Sequence, residues 1–91
     1  FMLMPEILDY QVIKFPNAVV FACQPQGEFG EAQRQRVVTS LHKVLHSTLE
    51  VHFYLSEEPV NIGRWKAVEL FVVEENFDPS WNLARVQSFL P

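Results

Sequence analysis

The run from Ala18 to Cys23 is the feature that most limits what this chain can fold into. Every residue in it is apolar, and β-branched and aromatic side chains are prominent. A short continuous apolar run of this kind is typical of a strand with both faces covered. The run therefore predicts a central strand of a β-sheet.

A second strand is predicted immediately before the central one. Residues from Ile7 to Phe15 alternate imperfectly between two sides, which indicates a strand with one face half-wet. Pro16 and Asn17 break this pattern. Because the break is so short, it implies that the two strands form a hairpin.

The clearest helical pattern follows, from about Glu28 or Phe29 to Leu49. Acidic residues lie near its start and basic residues near its end, as the helix dipole prefers. Apolar residues recur at spacings of three and four and so form one stripe. The members of that stripe are Val37, Val38, Leu41, Val44, Leu45 and Leu49.

Two further strands and a short helix are predicted after it. Glu50 to Ser56 alternates cleanly, with Val51, Phe53 and Leu55 on one side and His52 and Tyr54 on the other. Arg64 to Val73 reads as a longer strand. Asp78 and Pro79 fit the N-cap and first position of a helix that ends at Pro91.

The predicted fold is α+β, in the order ββαββα, as a single domain over residues 1–91. Two hairpins joined by a helix favour a four-stranded antiparallel sheet, related to the ferredoxin-like fold, with the main helix on one face. The short C-terminal helix is expected to cover the second face only in part. If Tyr10, Tyr54 or Trp65 lies on that face, it would form a dimer or ligand surface.

Composition and charge narrow the class of function. A chain of 91 residues that is 48% apolar and 20% charged is a small globular domain. Seven cations against eleven acids give a net charge of −4, which disfavours nucleic acids and anionic membranes as partners. A lone cysteine, Cys23, cannot form an internal disulfide, so we expect a cytoplasmic protein.

The candidates for chemistry are weak. His42 and His46 are four residues apart on the main helix and His52 follows on the next strand, yet such residues are more often solvated or dipole partners than metal ligands. Cys23 has no histidine placed locally to activate it. The acid pairs Glu57/Glu58 and Glu74/Glu75 lie in turn-like sequence and read as solvated loops. We expect no catalytic residue, metal or cofactor.

The segment from Asn61 to Leu70 is the most distinctive candidate for binding. Gly63 opens a turn that places Arg64, Trp65 and Lys66 at the start of an apolar strand. Arg64 and Lys66 can face an anionic group, or they can guard a sheet edge against aggregation. Trp65 can equally be a core residue.

A resemblance to a known family enters at this turn. The run from Ile7 to about Leu70 resembles the latter part of the C-terminal lid domain of phenylacetate–coenzyme A ligase-type adenylate-forming enzymes. The resemblance sets a strand like Leu8–Val12 beside an apolar strand, then a helix like Glu31–Leu49 and a strand like Val51–Leu55. A Gly-Lys turn then opens the last strand of the family lid.

Carried onto this chain, the resemblance places Gly63 on the family glycine and Arg64 on the family lysine, with Lys66 two residues further. It implies an accessory lid that offers Arg64 and Lys66 to an acyl-adenylate. Arginine cannot be assumed to replace a point-charge lysine. The family's first lid strand and helix and its large nucleotide-binding domain have no counterpart in the chain.

Two functions therefore stay open, the lid role and a non-enzymatic interaction module, and we favour the module. Its expected partner is a protein, as in a homodimer formed through a sheet face or the C-terminal helix. The candidate interface residues are Phe77, Trp81, Phe89 and Tyr54, since buried aromatics dominate interface energies. Phe77, Trp81 and Phe89 can equally seal the domain's own core, in which case Trp81→Ala would impair folding.

Overall fold

The structure is a computed structural model that describes residues 5–60 and 70–90 of the chain. Those residues contain four strands and two helices. In chain order they are β1 (Ile7–Lys14), β2 (Val19–Pro25), α1 (Glu31–Leu45), β3 (Val51–Leu55), β4 (Leu70–Val72) and α2 (Leu83–Gln87). The predicted α+β class is confirmed.

The four strands form one mixed sheet in the order β3-β2-β1-β4. β1 and β2 are antiparallel, whereas β3 is parallel to β2 and β4 is parallel to β1. The predicted antiparallel sheet of two hairpins is therefore wrong. β3 and β4 do not pair with each other, because they lie at opposite edges of the sheet.

The path of the chain after β3 explains why no second hairpin forms there. The Gln24 side chain donates a hydrogen bond to the Glu57 carbonyl oxygen at 3.0 Å, and the Val60 amide donates one to Asp9 Oδ2 at 2.9 Å. Gln24 belongs to β2 and Asp9 to β1. The chain thus crosses the ends of β2 and β1 instead of turning back along β3.

The hairpin of β1 and β2 forms as predicted. The Phe15 amide donates to the Ala18 carbonyl oxygen at 2.8 Å across the turn that holds Pro16 and Asn17. Residues 18–23 are all buried, since β2 is an inner strand with both faces covered. The prediction of a central strand at this position is confirmed.

Helix α1 covers one face of the sheet. Val37 and Leu41 pack with Val12 and Phe21 in a buried cluster, and burying each such side chain contributes about 1.5–3 kcal/mol. The helix ends at Leu45 rather than at Leu49, because His46 adopts a left-handed conformation (φ 50°) that closes the last turn. The N-cap of α1 is Gly30, whose amide donates to the Gln33 side chain at 2.9 Å.

Residues 77–90 cover the second face. Ile13, Phe15 and Val20 have no exposed surface there, and Phe77 and Val86 pack directly on them. The last helix was expected to cover this face only in part, and residues on both sides of that helix complete the cover. The cause is the aromatic content of the C-terminal segment, which lets a very short helix seal this side of the sheet.

The start of the C-terminal helix also differs from the prediction. The Asp78 side chain accepts a hydrogen bond from the Ser80 amide at 2.9 Å and so closes a separate turn. Asn82 is the N-cap of α2, and its side chain accepts from the Arg85 amide at 2.8 Å. None of the helices found in residues 5–60 and 70–90 has the length and apolar content needed to cross a bilayer.

Candidate interaction surface

The predicted binding turn is outside the part of the chain that the structure describes. Gly63, Arg64 and Lys66 all fall between residues 61 and 69, as does Trp65. The lid-like role of this turn stays a prediction.

The four predicted interface aromatics are brought together on the second face of the sheet. Phe15 is at the centre of the group, with ring centroids 5.3 Å from Phe77, 6.0 Å from Trp81 and 5.5 Å from Phe89. Tyr54 packs edge-on against Phe77 at 6.4 Å. These contacts make Phe77, Trp81, Phe89 and Tyr54 one cluster inside the domain, which we call the C-terminal aromatic cluster.

The outer side of this cluster is partly screened from solvent. Phe77 is buried, whereas Trp81 and Phe89 are half-buried. The Arg85 guanidinium lies 4.9 Å from both the Trp81 and the Phe89 ring centroids, a cation–π arrangement. The cluster therefore presents a cation to solvent, with limited apolar surface beside it.

Two hydrogen-bonding side chains hold the C-terminal segment against the sheet. The Asn17 side chain donates to the Phe77 carbonyl oxygen at 3.0 Å and accepts from the Phe77 amide at 2.7 Å. The Tyr54 hydroxyl donates to the Trp81 carbonyl oxygen at 2.6 Å. Burial, together with the nearby Asp78 carboxylate, raises the pKa of Tyr54, so this donor stays protonated in neutral solution.

The three histidines do not converge. The ring Nε2 of His42 is 2.8 Å from the Leu49 carbonyl oxygen, and His46 forms the C-terminal cap of α1. His52 points to the opposite face of the sheet, where its ring centroid is 4.7 Å from that of Phe77, with the two rings tilted by 48°. Within residues 5–60 and 70–90 no group of three or more histidine, cysteine or acidic side chains is placed to hold a metal ion.

Cys23 is positioned as a core residue. Its side chain has no exposed surface and packs in the same cluster as Val37 and Leu41. Burial raises the pKa of the thiol to about 11, against a smaller lowering by Arg34. A thiol that stays protonated and has no access to solvent is a poor nucleophile.

The predicted acid pairs are on the surface. Glu57, Glu58, Glu74 and Glu75 are all exposed, in line with their interpretation as solvated loop residues. An open depression of about 370 Å³ lies over Gln35, Arg36, Thr39 and Ser40 on α1. Arg36 there is paired with Glu6 at 3.0 Å.

The outer edge of β3 is the most distinctive feature of the sheet. The Glu50 carbonyl oxygen accepts from Val19, and the Ser56 amide donates to Cys23, both at 2.9 Å. In the parallel ladder between these two bonds, the backbone groups of His52 and Tyr54 face β2. The N–H and C=O groups of the alternate residues Val51, Phe53 and Leu55 therefore point away from the sheet.

Nothing in the described chain pairs with these outward groups, because β3 is the last strand on its side. The side chains of the same three residues all lie on the α1 face, where Phe53 contacts Phe21 and Leu55 is 42% exposed. Arg34 lies over the Phe53 ring at 5.0 Å. We call Val51, Phe53 and Leu55, with their outward backbone groups, the β3 edge.

Sequence reasoning singled out two residues of this strand, Tyr54 for an interface and His52 as a possible metal ligand, and both for their side chains. The alternation of Val51, Phe53 and Leu55 with His52 and Tyr54 is visible in the sequence and is confirmed by the register with β2. Which backbone groups face outward depends on the strand that pairs with β3. No local pattern carries that information.

Comparison of the chain with models of protein families, with curated proteins and with solved structures finds no match. The suspected likeness to a lid domain therefore gains no support from relatives.

Proposed function

We propose that this chain is a non-enzymatic interaction module that binds a protein partner by adding the partner's strand to the β3 edge. The observation that carries the proposal is the row of outward N–H and C=O groups on Val51, Phe53 and Leu55. Strand addition is a common recognition mode in which main-chain hydrogen bonds supply affinity and side chains supply specificity.

The lack of protective features along this edge supports the proposal. Proteins blunt open edges with lysine, proline, bulges or very short strands. The β3 sequence Val-His-Phe-Tyr-Leu has no lysine or proline, and its register with β2 runs without interruption from Val51 to Leu55. An unprotected edge of this kind favours pairing with another chain.

The chemistry of the described residues fits a binding role better than catalysis. Cys23 is buried, the histidines are dispersed, and the acid pairs are solvated. Catalytic sites bring titratable groups together in a cleft and shift their pKa values. The groups described above are not arranged in that way.

The β3 edge also fits better than the two contact surfaces predicted from the sequence. The second sheet face is filled by the C-terminal aromatic cluster, and that cluster packs inward on Phe15. Its aromatic rings are therefore used in the packing of the domain itself and leave little surface for a partner. The β3 edge offers outward backbone groups that no strand within residues 5–60 and 70–90 pairs, and an added strand can pair them in register.

The proposal is tested by NMR titration with a peptide of alternating threonine and valine. We expect the peptide to shift the amide signals of Val51, Phe53 and Leu55 and to slow their exchange with solvent, while His52 and Tyr54 change little. The control peptide carries N-methyl groups on alternate residues, which remove its donors, and we expect it to bind less well.

A variant of the protein sharpens this test. Leu55→Pro removes one outward N–H at an exposed position and leaves the bonds to β2 intact, whereas Leu55→Ala keeps that N–H. Peptide binding by Leu55→Ala but not by Leu55→Pro supports strand addition. Signal changes confined to residues 77–89, or none at millimolar peptide, would overturn it.

A further inference from the structure

We propose that the strand added at the β3 edge is β3 of a second copy of this chain, running antiparallel about a two-fold axis beside Phe53. This inference rests on the proposed function, since it names the partner for the same edge. It predicts a continuous sheet across two domains, with the two copies of β3 side by side at its centre.

The symmetry of the outward groups carries the inference. The outward residues Val51, Phe53 and Leu55 are centred on Phe53. In antiparallel pairing about that centre, Val51 faces Leu55 of the second copy, Phe53 faces Phe53, and Leu55 faces Val51. Each of these is a hydrogen-bonded pair, so every outward N–H and C=O group of both edges gains a partner.

A parallel arrangement of two copies does not achieve this. In a parallel ladder, a residue whose N–H and C=O groups bond across to the neighbouring strand lies opposite a residue whose own groups point away from that strand. For two parallel copies of β3 to bond, one copy would therefore have to be shifted along the other by one residue. A two-fold axis forbids such an offset, so a closed dimer through β3 has to be antiparallel.

The side chains agree with the backbone. Val51, Phe53 and Leu55 lie on the same face of the sheet, so the pairing sets apolar residues against apolar residues across the axis. The exposed part of Leu55 would pack beside Val51 of the second copy. On the other face, His52 would lie opposite Tyr54, which brings no like charges together.

The other edge of the sheet is less suited to the same role. Just after β4, the Val73 amide donates to the Lys14 carbonyl oxygen, so the backbone N–H and C=O groups of Leu70 and Val72 point outward. The described strand is only three residues long, and short edge strands are themselves protected. Val72 is 69% exposed, so Val72→Lys serves as a control that charges this edge without loss of core packing.

Paired cysteines test the register directly. Chains carrying Val51→Cys and chains carrying Leu55→Cys are mixed at equal concentration and oxidised under mild conditions. The predicted pairing sets these positions about 5.5 Å apart between Cα atoms, within the range of a disulfide. Each variant alone places its own cysteines about 13 Å apart along the strand, too far to be linked.

We expect a disulfide-linked dimer in the mixture and little in either variant alone. The unmodified chain, whose only thiol is the buried Cys23, controls for reaction at that residue. Equal cross-linking in the separate variants, or none in the mixture of folded chains, would overturn the register.

Solution mass by light scattering supplies an independent readout. We expect Leu55→Pro to weaken the dimer by about tenfold or more relative to Leu55→Ala, because two hydrogen bonds across the axis are lost. Val72→Lys should leave the dimer unchanged. If the Val72→Lys variant is instead a monomer, the interface lies at β4 and not at β3. A monomeric unmodified chain that still binds the test peptide at β3 would refute the dimer and leave the proposed function standing.

Discussion

The side chain of Asn17 pairs with both backbone polar groups of Phe77, a residue that is 60 positions away in the chain. The amide nitrogen donates to the Phe77 carbonyl oxygen, and the amide oxygen accepts from the Phe77 N–H. The Asn17 side-chain amide thus forms the two hydrogen bonds that a neighbouring strand would otherwise form with Phe77. It fixes the point at which the C-terminal segment meets the turn between β1 and β2.

We predict that Asn17→Ala lowers the free energy of unfolding by about 1–3 kcal/mol, because it leaves both groups of a buried residue without their partner. Urea denaturation measures the change. Asn82→Ala is the matched control, since it removes only the cap of α2 and should cost about 1 kcal/mol or less. Equal losses in the two variants would show that the Asn17 pairing carries no special weight.

The Trp81 side chain provides a second prediction, which separates core from interface. Trp81 contacts Phe15, Phe77 and Phe89, so we expect Trp81→Ala to lower the free energy of unfolding by about 2–4 kcal/mol. The solution mass of the folded variant should stay that of the unmodified chain. Unchanged stability with loss of the dimer would instead place Trp81 at the interface.

The buried thiol of Cys23 gives a prediction about alkaline pH. Its pKa lies near 11 in the folded chain, above the ordinary value of 9.0, so the folded state retains the proton that the unfolded state loses. The contribution of Cys23 to stability is therefore full below pH 9 and declines as pH rises from 9 towards 11.

Denaturation of the unmodified chain and of Cys23→Ala between pH 8 and 11 isolates this effect from other groups that titrate there. We expect the unmodified chain to lose stability more steeply over this interval. Parallel curves would show that the thiol does not titrate differently in the two states.

Charge at the ends of the β3 edge leads to a prediction about salt. In the proposed dimer, Glu50 of one copy lies opposite Ser56 of the other, next to Glu57. Both acidic residues are exposed, and a chain with a net charge of −4 repels a second copy of itself. Salt screens such repulsion, so we expect the dimer to tighten as ionic strength rises from about 0.01 M to 0.15 M. A dimer that weakens over this range would point to an interface built on opposite charges.

The strands and the main helix could be predicted because their apolar patterns are local. Ala18 to Cys23 indicated a buried strand, and it is buried. In the predicted stripe of the main helix, Val37 and Leu41 are buried, whereas Val44 is 51% exposed. The partners of β3 and β4 could not be predicted in this way. The sequence from Glu57 to Gly63 is typical of a hairpin turn. In the structure, however, the Gln24 side chain donates to the Glu57 carbonyl oxygen and the Val60 amide donates to Asp9, so residues 57–60 run across the ends of β2 and β1.

The candidate surface was hidden from sequence reasoning for a related reason. The side-chain alternation of β3 follows from its sequence, whereas the direction of its free backbone groups follows from its pairing with β2. The aromatic residues Phe77, Trp81 and Phe89 drew attention because such residues dominate many interfaces. In the fold they pack around Phe15, where a short helix needs large side chains to cover a sheet.

Hydrogen exchange at single amides, measured by NMR at several protein concentrations, tests the role of the β3 edge most directly. We predict that the amides of Val51, Phe53 and Leu55 exchange quickly in dilute protein and become protected as its concentration rises. Those of His52 and Tyr54 should be protected throughout by their bonds to β2. Outward amides whose exchange never changes with concentration, or a change confined to Leu70 and Val72, would contradict the proposed dimer.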